Sequence, residues 1–200
     1  MNKKILDSKK LEEIGRMFLE VVDSNPDRPG LKDTPKRFAK YWMELLEGQK
    51  YTNKEIAKMF DKCFSLNEED CENDTLKRDL VVESNIHIFS HCEHHLALMY
   101  DMKVAVAYIP NDRIIGLSKI ARIAEMVGKR LQLQERIGSD INEIMQMILH
   151  TKNVAVVIEG KHGCMTARGI KAREAVTKTS SLSGVFQTDS KLRQEMLTLI

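Results

Sequence analysis

Two periods of apolar residues divide the chain near residue 76. Before that point the period is helical. Leu11, Ile14, Phe18, Val21 and Val22 recur on one helical face, and Asn25-Pro26 with Pro29-Gly30 ends that element. Asp33-Thr34-Pro35 predicts the next helix start, since a capping Asp or Thr followed by proline suits a first turn. Phe38, Tyr41, Trp42, Leu45 and Leu46 form its stripe, and Gly48 closes it. A third short helix is expected over 53–61. Residues 1–75 are therefore expected to be a helical amino-terminal region.

Beyond residue 76 the period changes. Val82, Ser84, Ile86 and Ile88 alternate within 80–89, the mark of a half-buried strand. Residues 103–109 alternate again, and Pro110-Asn111-Asp112 turns the chain. Gly116-Leu117-Ser118 starts a helix carrying Ile120, Ile123, Ala124 and Val127. Ile137, Ile141, Ile144, Met145, Ile148 and Leu149 stripe a second helix over 135–150. A strand is expected over 153–159, β-rich sequence over 174–186 and a short helix over 189–197. This order predicts an α+β fold for 76–200: an antiparallel four-stranded sheet with two helices on one face.

Composition narrows the function. Hydrophobic residues make up 42% and charged residues 30%, ordinary for a soluble globular protein. A net charge of +2 argues against a nucleic-acid binder, whose footprint is a strongly basic face. No apolar run reaches membrane-span length, and the first residues lack the apolar stretch of a signal peptide. A cytoplasmic protein is expected, in which thiols serve as metal ligands or catalysts more than as disulfides. Cys63 and Cys71 have no histidine nearby in sequence and read as ordinary packing or surface cysteines.

The chemistry concentrates in two short stretches. Ser90-His91-Cys92-Glu93-His94-His95 and Lys161-His162-Gly163-Cys164 hold two of the four cysteines and four of the six histidines. Thiolate and imidazole are the ligands zinc prefers. Cys92 and His95 can face one way on a tight turn, and His162 and Cys164 would share one face of a strand. Cys92, His94, His95, His162 and Cys164 exceed the need of one tetrahedral ion, with His91 and Glu93 adjacent. The surplus suggests an open, catalytic metal centre with proton-transfer groups beside it. Ser118, Lys119 and Arg122 sit at a helix start, where backbone N–H groups favour anions, and Arg168 and Lys171 follow Cys164. Gln134-Glu135 at the next helix start reads as a cap by spacing, or as a pair able to read a purine edge. A base deaminase would need a later Pro-Cys-x-x-Cys, which this chain lacks.

These residues resemble the GTP cyclohydrolase I family. The resemblance is carried by Cys92-Glu93-His94-His95, Val106-Ala107-Tyr108-Ile109-Pro110, Ile115 through Ile123, Gln132-Leu133-Gln134-Glu135-Arg136 and His162 through Gly169. Asp33-Thr34-Pro35-Lys36-Arg37 matches the family's amino-terminal signature, and the likeness spans roughly residues 10 to 198. It implies the tunnelling fold and a decamer of two face-to-face pentamers with active sites between subunits. It implies zinc on Cys92, His95 and Cys164, with His94 and His162 transferring protons. Ser118, Lys119, Arg122 and Arg168 would hold the triphosphate, joined by Arg37 of a neighbouring copy, and Gln134 and Glu135 would read guanine. The implied reaction converts GTP and water to 7,8-dihydroneopterin triphosphate and formate, the first step of tetrahydrofolate and pterin biosynthesis. Gly163 replaces a larger side chain common in the family and is expected to loosen the strand, and His91 is an alternative ligand or an exposed residue.

Overall fold

Helix α1, Ser8–Val22, begins where the Asp7 carboxylate accepts from the backbone N–H groups of Lys9 and Lys10. The computed structural model describes residues 6–65 and 79–200. Helix α2, Thr34–Leu45, starts with proline in its first turn and packs against α1. A 3₁₀ turn, Glu47–Lys50, follows. These elements form one compact unit, and Tyr51–Ile200 form a second. The boundary expected near residue 76 lies outside the described residues, as does Cys71.

The second unit is mixed α and β. Helix α3, Asn53–Phe60, opens with a reciprocal capping box between Thr52 and Glu55. Among the described residues seven strands follow: β1 Cys63–Ser65, β2 Val81–Cys92, β3 Leu98–Tyr108, β4 Arg113–Ile115, β5 Leu131–Gln132, β6 Val154–His162 and β7 Thr177–Leu182. Helices α4, Leu117–Gly128, and α5, Gln134–Leu149, lie between β4 and β6, flanking β5. Three short helices complete the unit: α6 Gly163–Thr166, α7 Val185–Thr188 and α8 Ser190–Thr198.

The main sheet has the order β5-β2-β3-β6-β7. The sheet has five strands where four were expected, and β2, β3, β6 and β7 pair antiparallel in that order. The fifth, β5, is a two-residue strand lying parallel to the end of β2, with His91 opposite Leu131 and Cys92 opposite Gln132. The turn from α4 into α5 passes the tip of β2 and pairs there. A separate small sheet joins β1 to β4, with Cys63 opposite Ile115. Strands β2, β3 and β6 run longer than their alternation predicts. Register shifts between Ile88 and Ser90 on β2, and between Tyr100 and Lys103 on β3, break the period of two. The added lengths carry the candidate chemistry.

Val104, Val106 and Tyr108 of β3 and Val154, Val156 and Ile158 of β6 face the stripes of α4 and α5, all fully buried. Between them Ala107 and Ala155 face the opposite way, onto Phe186 and Met196 of the carboxy-terminal helices. Among the described residues β7 pairs only with β6, and β2 meets β5 only at its last two residues. Two sheet edges are therefore largely open. No helix of the described residues is long and apolar enough to cross a membrane.

Candidate metal centre and its surroundings

The end of β2 delivers Cys92, 5% exposed, and the chain turns at once. The Cys92 N–H donates to Ala97 O at 2.9 Å, and the Leu96 N–H donates to Cys92 O at 2.8 Å. Leu96 takes a left-handed φ of 53° to close this turn, which leaves His94 and His95 exposed on it. From the other side of the sheet β6 ends at His162, and Cys164 sits on α6. The shared strand face expected for His162 and Cys164 is not what places them. The strand stops between them, and the helical turn carries the thiol inward.

Gly163 makes that turn possible. A Cβ there would lie 2.9 Å from Leu98 O. The glycine permits close approach of the end of β6 to the start of β3. Tyr100 Oη donates to Thr166 Oγ1 at 3.0 Å and ties α6 to β3.

Cys92, His95 and Cys164 each offer one ligand atom, and these atoms all lie within 4.8 Å of one another. Donors on one tetrahedral zinc sit roughly 3.5–4 Å apart, given bonds near 2.0 and 2.3 Å, so the set fits one ion. The two sulfurs are close enough to disfavour joint ionisation without a cation. Burial first, and then neighbouring Cys92, push the Cys164 thiol up. His94 Nδ1 stands 3.8 Å from Cys92 Sγ. His91 lies outside the set. It is 2% exposed, contrary to its expected exposure, and burial holds its imidazole below the ordinary value.

His162 is partly buried, and its Nε2 lies 2.9 Å from Gln134 Oε1. Burial lowers its pKa, while the nearby Glu135 carboxylate acts the other way. Gln134 is 1% exposed and caps nothing. Its amide nitrogen faces Ile158 O, Thr177 O and Thr179 Oγ1. Glu135, by contrast, is exposed, as is Arg168, which lies within electrostatic reach of Cys164.

Ser118, Lys119 and Arg122 are not gathered with these groups in the single chain. They occupy the first half of α4, and Arg122 lines a groove beside Glu83–His87 at the start of β2. The Gly128 end of α4 instead approaches Phe89, nearer Cys92. Arg37 lies on α2 in the amino-terminal unit, exposed, 3.7 Å from Asp33. Cys63 is partly buried on β1 and its thiol is raised by burial, as an inert packing cysteine should be.

Three supporting contacts escaped sequence reasoning. Arg136 clasps Glu93 through two bonds of 2.5 and 3.1 Å, bracing the turn between Cys92 and His95. Gln132 O accepts from the Glu93 N–H at 3.1 Å, and Gln132 in turn donates from Nε2 to Asp140. The Tyr100–Thr166 bond is the third. Each member lies in or beside a motif, but nothing in the spacing reveals who meets whom.

This is a mixed α and β unit that brings two thiols and one imidazole together at the end of its sheet, a cluster that could hold a metal ion, with further histidines alongside. The profile of the GTP cyclohydrolase I family matches residues 11–200. GTP cyclohydrolase 1 of Ruminiclostridium cellulolyticum is 57% identical over 194 residues, covering 97% of this chain and 98% of that protein. GTP cyclohydrolase 1 of Clostridium botulinum strain Loch Maree is 56% identical over 195 residues, and that of Clostridium acetobutylicum 53% over 194, each covering 97% of both chains. The chain belongs to the GTP cyclohydrolase I family.

Proposed function

We propose that this protein converts GTP and water to 7,8-dihydroneopterin triphosphate and formate, with zinc on Cys92, His95 and Cys164. The convergence of those three donors in a member of this family is the observation that carries the reading. Zinc held there supplies Lewis acidity, which brings the ionisation of water toward neutral pH.

The chain's own groups do the rest. Carbon 8 of guanine is a poor electrophile while the purine stays aromatic. His162 protonates N7 and makes carbon 8 receptive to water. His94, on the turn beside Cys92, assists the opening of the five-membered ring. Hydrolysis of the resulting formamide releases formate, and the rearranged ribose then closes onto the base as the pterin ring. Glu135 presents its carboxylate to the guanine edge. The resemblance assigns Gln134 to the same edge, although its side chain is buried and hydrogen-bonded to His162.

The triphosphate is bound by Ser118, Lys119, Arg122 and Arg168, with Arg37 of a neighbouring copy. Binding of this remote polyanion positions the reacting ring. The separation of Lys119 and Arg122 from Cys92 along β2 supports a site completed by a second copy. The family resemblance implies a tunnelling fold assembled as a homodecamer of two pentamers, with the chemistry in 76–200 and a helical amino-terminal region before it. A cytoplasmic enzyme acting on free GTP, without nucleic acid or membrane, fits the balanced charge.

The test is GTP turnover by zinc-loaded protein, reading pterin by absorbance and formate by a coupled assay. Wild type should yield both. His162→Ala should keep its zinc and lose turnover by on the order of 10²–10⁴-fold. Zinc bound without formate from wild type would end the proposal.

A further inference from the structure

We infer that Gln134 does not read the base but positions His162, fixing which ring nitrogen carries the hydrogen. The inference rests on the cyclohydrolase reading and adds a role within that site. Its first support is burial, since a side chain 1% exposed has no surface to offer a substrate. The second is an amide orientation dictated by its neighbours. The nitrogen end of Gln134 lies 3.2 Å from Ile158 O, 3.0 Å from Thr177 O and 3.3 Å from Thr179 Oγ1. Two of these are carbonyl oxygens, which only accept, so the NH₂ group must face them. Reversing the amide would set oxygen against two carbonyls in a buried site.

The oxygen of Gln134 therefore faces His162 Nε2 at 2.9 Å. An amide oxygen can only accept, so Nε2 must carry a hydrogen. In the neutral ring this leaves Nδ1 as the one nitrogen with a lone pair for proton exchange with substrate. One glutamine at the first turn of α5 thus pins β6, β7 and the imidazole together. Recognition of the guanine edge falls to the exposed neighbour Glu135.

The experiment compares wild type, Gln134→Met, His162→Ala and the double variant as zinc-loaded protein, with GTP and inosine triphosphate as substrates. Formate release by wild type tests the cyclohydrolase reading separately. Given that activity, Gln134→Met should lower kcat on the order of 10- to 100-fold while the KM for GTP and the preference over inosine triphosphate hold. In the His162→Ala background the same substitution should add no loss. A raised KM or lost base preference at unchanged kcat overturns the inference, as does an equal loss in both backgrounds. Gln134→Asn, one methylene shorter and still polar, carries the cycle where methionine is not tolerated. A further readout uses the unsubstituted protein: ¹⁵N shifts of His162 should show a protonated Nε2 and a bare Nδ1, and the reverse pattern also overturns the inference.

Discussion

Replacing Asp140 with alanine removes the centre of a network that reaches the candidate metal ligands through the backbone. Its Oδ2 accepts from Arg130 Nη1 at 2.9 Å and from Gln132 Nε2 at 3.0 Å, and its Oδ1 accepts from Asn53 Nδ2 at 3.0 Å. The Arg130 and Asp140 side chains are only 11% and 17% exposed, so water screens the pair weakly. Removing one partner of a buried ion pair costs about 3–5 kcal/mol. Arg130 would keep Asn53 Oδ1 at 2.8 Å and Tyr51 O at 3.0 Å. Those retained acceptors place the cost at the lower end, about 3 kcal/mol. In a chain of this size the loss lowers Tm by about 6–12 °C, read at fixed protein concentration because association shifts Tm. Asp140→Asn keeps the shape and should cost about 1–2 kcal/mol. A second effect is local. Gln132 keeps only its longer bond to Val127 O at 3.4 Å, and Gln132 O holds the Glu93 N–H beside Cys92, so zinc should pass to a competing chelator faster in Asp140→Ala. A loss under about 1 kcal/mol with unchanged zinc transfer would refute the coupling of network to site.

Gly184 has φ 56° and ψ −131°, and a Cβ there would overlap Asn153 Oδ1 and lie 2.6 Å from Lys152 O. Gly184→Ala should therefore cost about 3 kcal/mol, seen as a fall in thermal midpoint. Burial holds His91 below its ordinary 6.5, so the unfolded chain binds the proton more readily. The stability linked to His91 is full above about pH 6.5 and declines as pH falls from there toward the folded-state value. His91→Gln should flatten that acid slope in urea titrations, and an unchanged slope would remove His91 as its source. Chelating the zinc in air should join Cys92 to Cys164, so thiol titration should find two of the four cysteines unreactive until reductant is added. Full reactivity of all four would contradict their proximity.

Much of the fold was legible because its elements carry unbroken periods. The stripes of α4 and α5 name the residues that are buried, since nothing interrupts 3.6-residue spacing from Ile120 to Val127 or from Ile137 to Ile148. Strand ends were less legible. The bulge near Ser90 and the shift near Lys103 break alternation where strands run on toward the candidate site. Strand β5 is two residues long, too short to carry any period. The candidate ligands stood out through the chemistry of clustered thiol and imidazole. Their supports did not, because Glu93 and Arg136 are ordinary surface charges until a fold brings them together. Gln134 is the instructive residue. Its amide suits a purine edge on paper, and only burial reveals that its hydrogen bonds are already committed.

The two open edges of the sheet bear on how the protein is made. Among the described residues, a chain that has completed β2, β3, β6 and β7 leaves N–H and C=O groups unpaired along β7 and most of β2. Each edge is a template for any strand that reaches it first. The lifetime of a lone copy thus becomes a hazard for quality control: dilute or slowly produced chains wait longer with edges bare. In the proposed assembly, where sister copies cover those edges, output of active enzyme should rise more steeply than linearly with expression until that capture outruns capture by chaperones and aggregates.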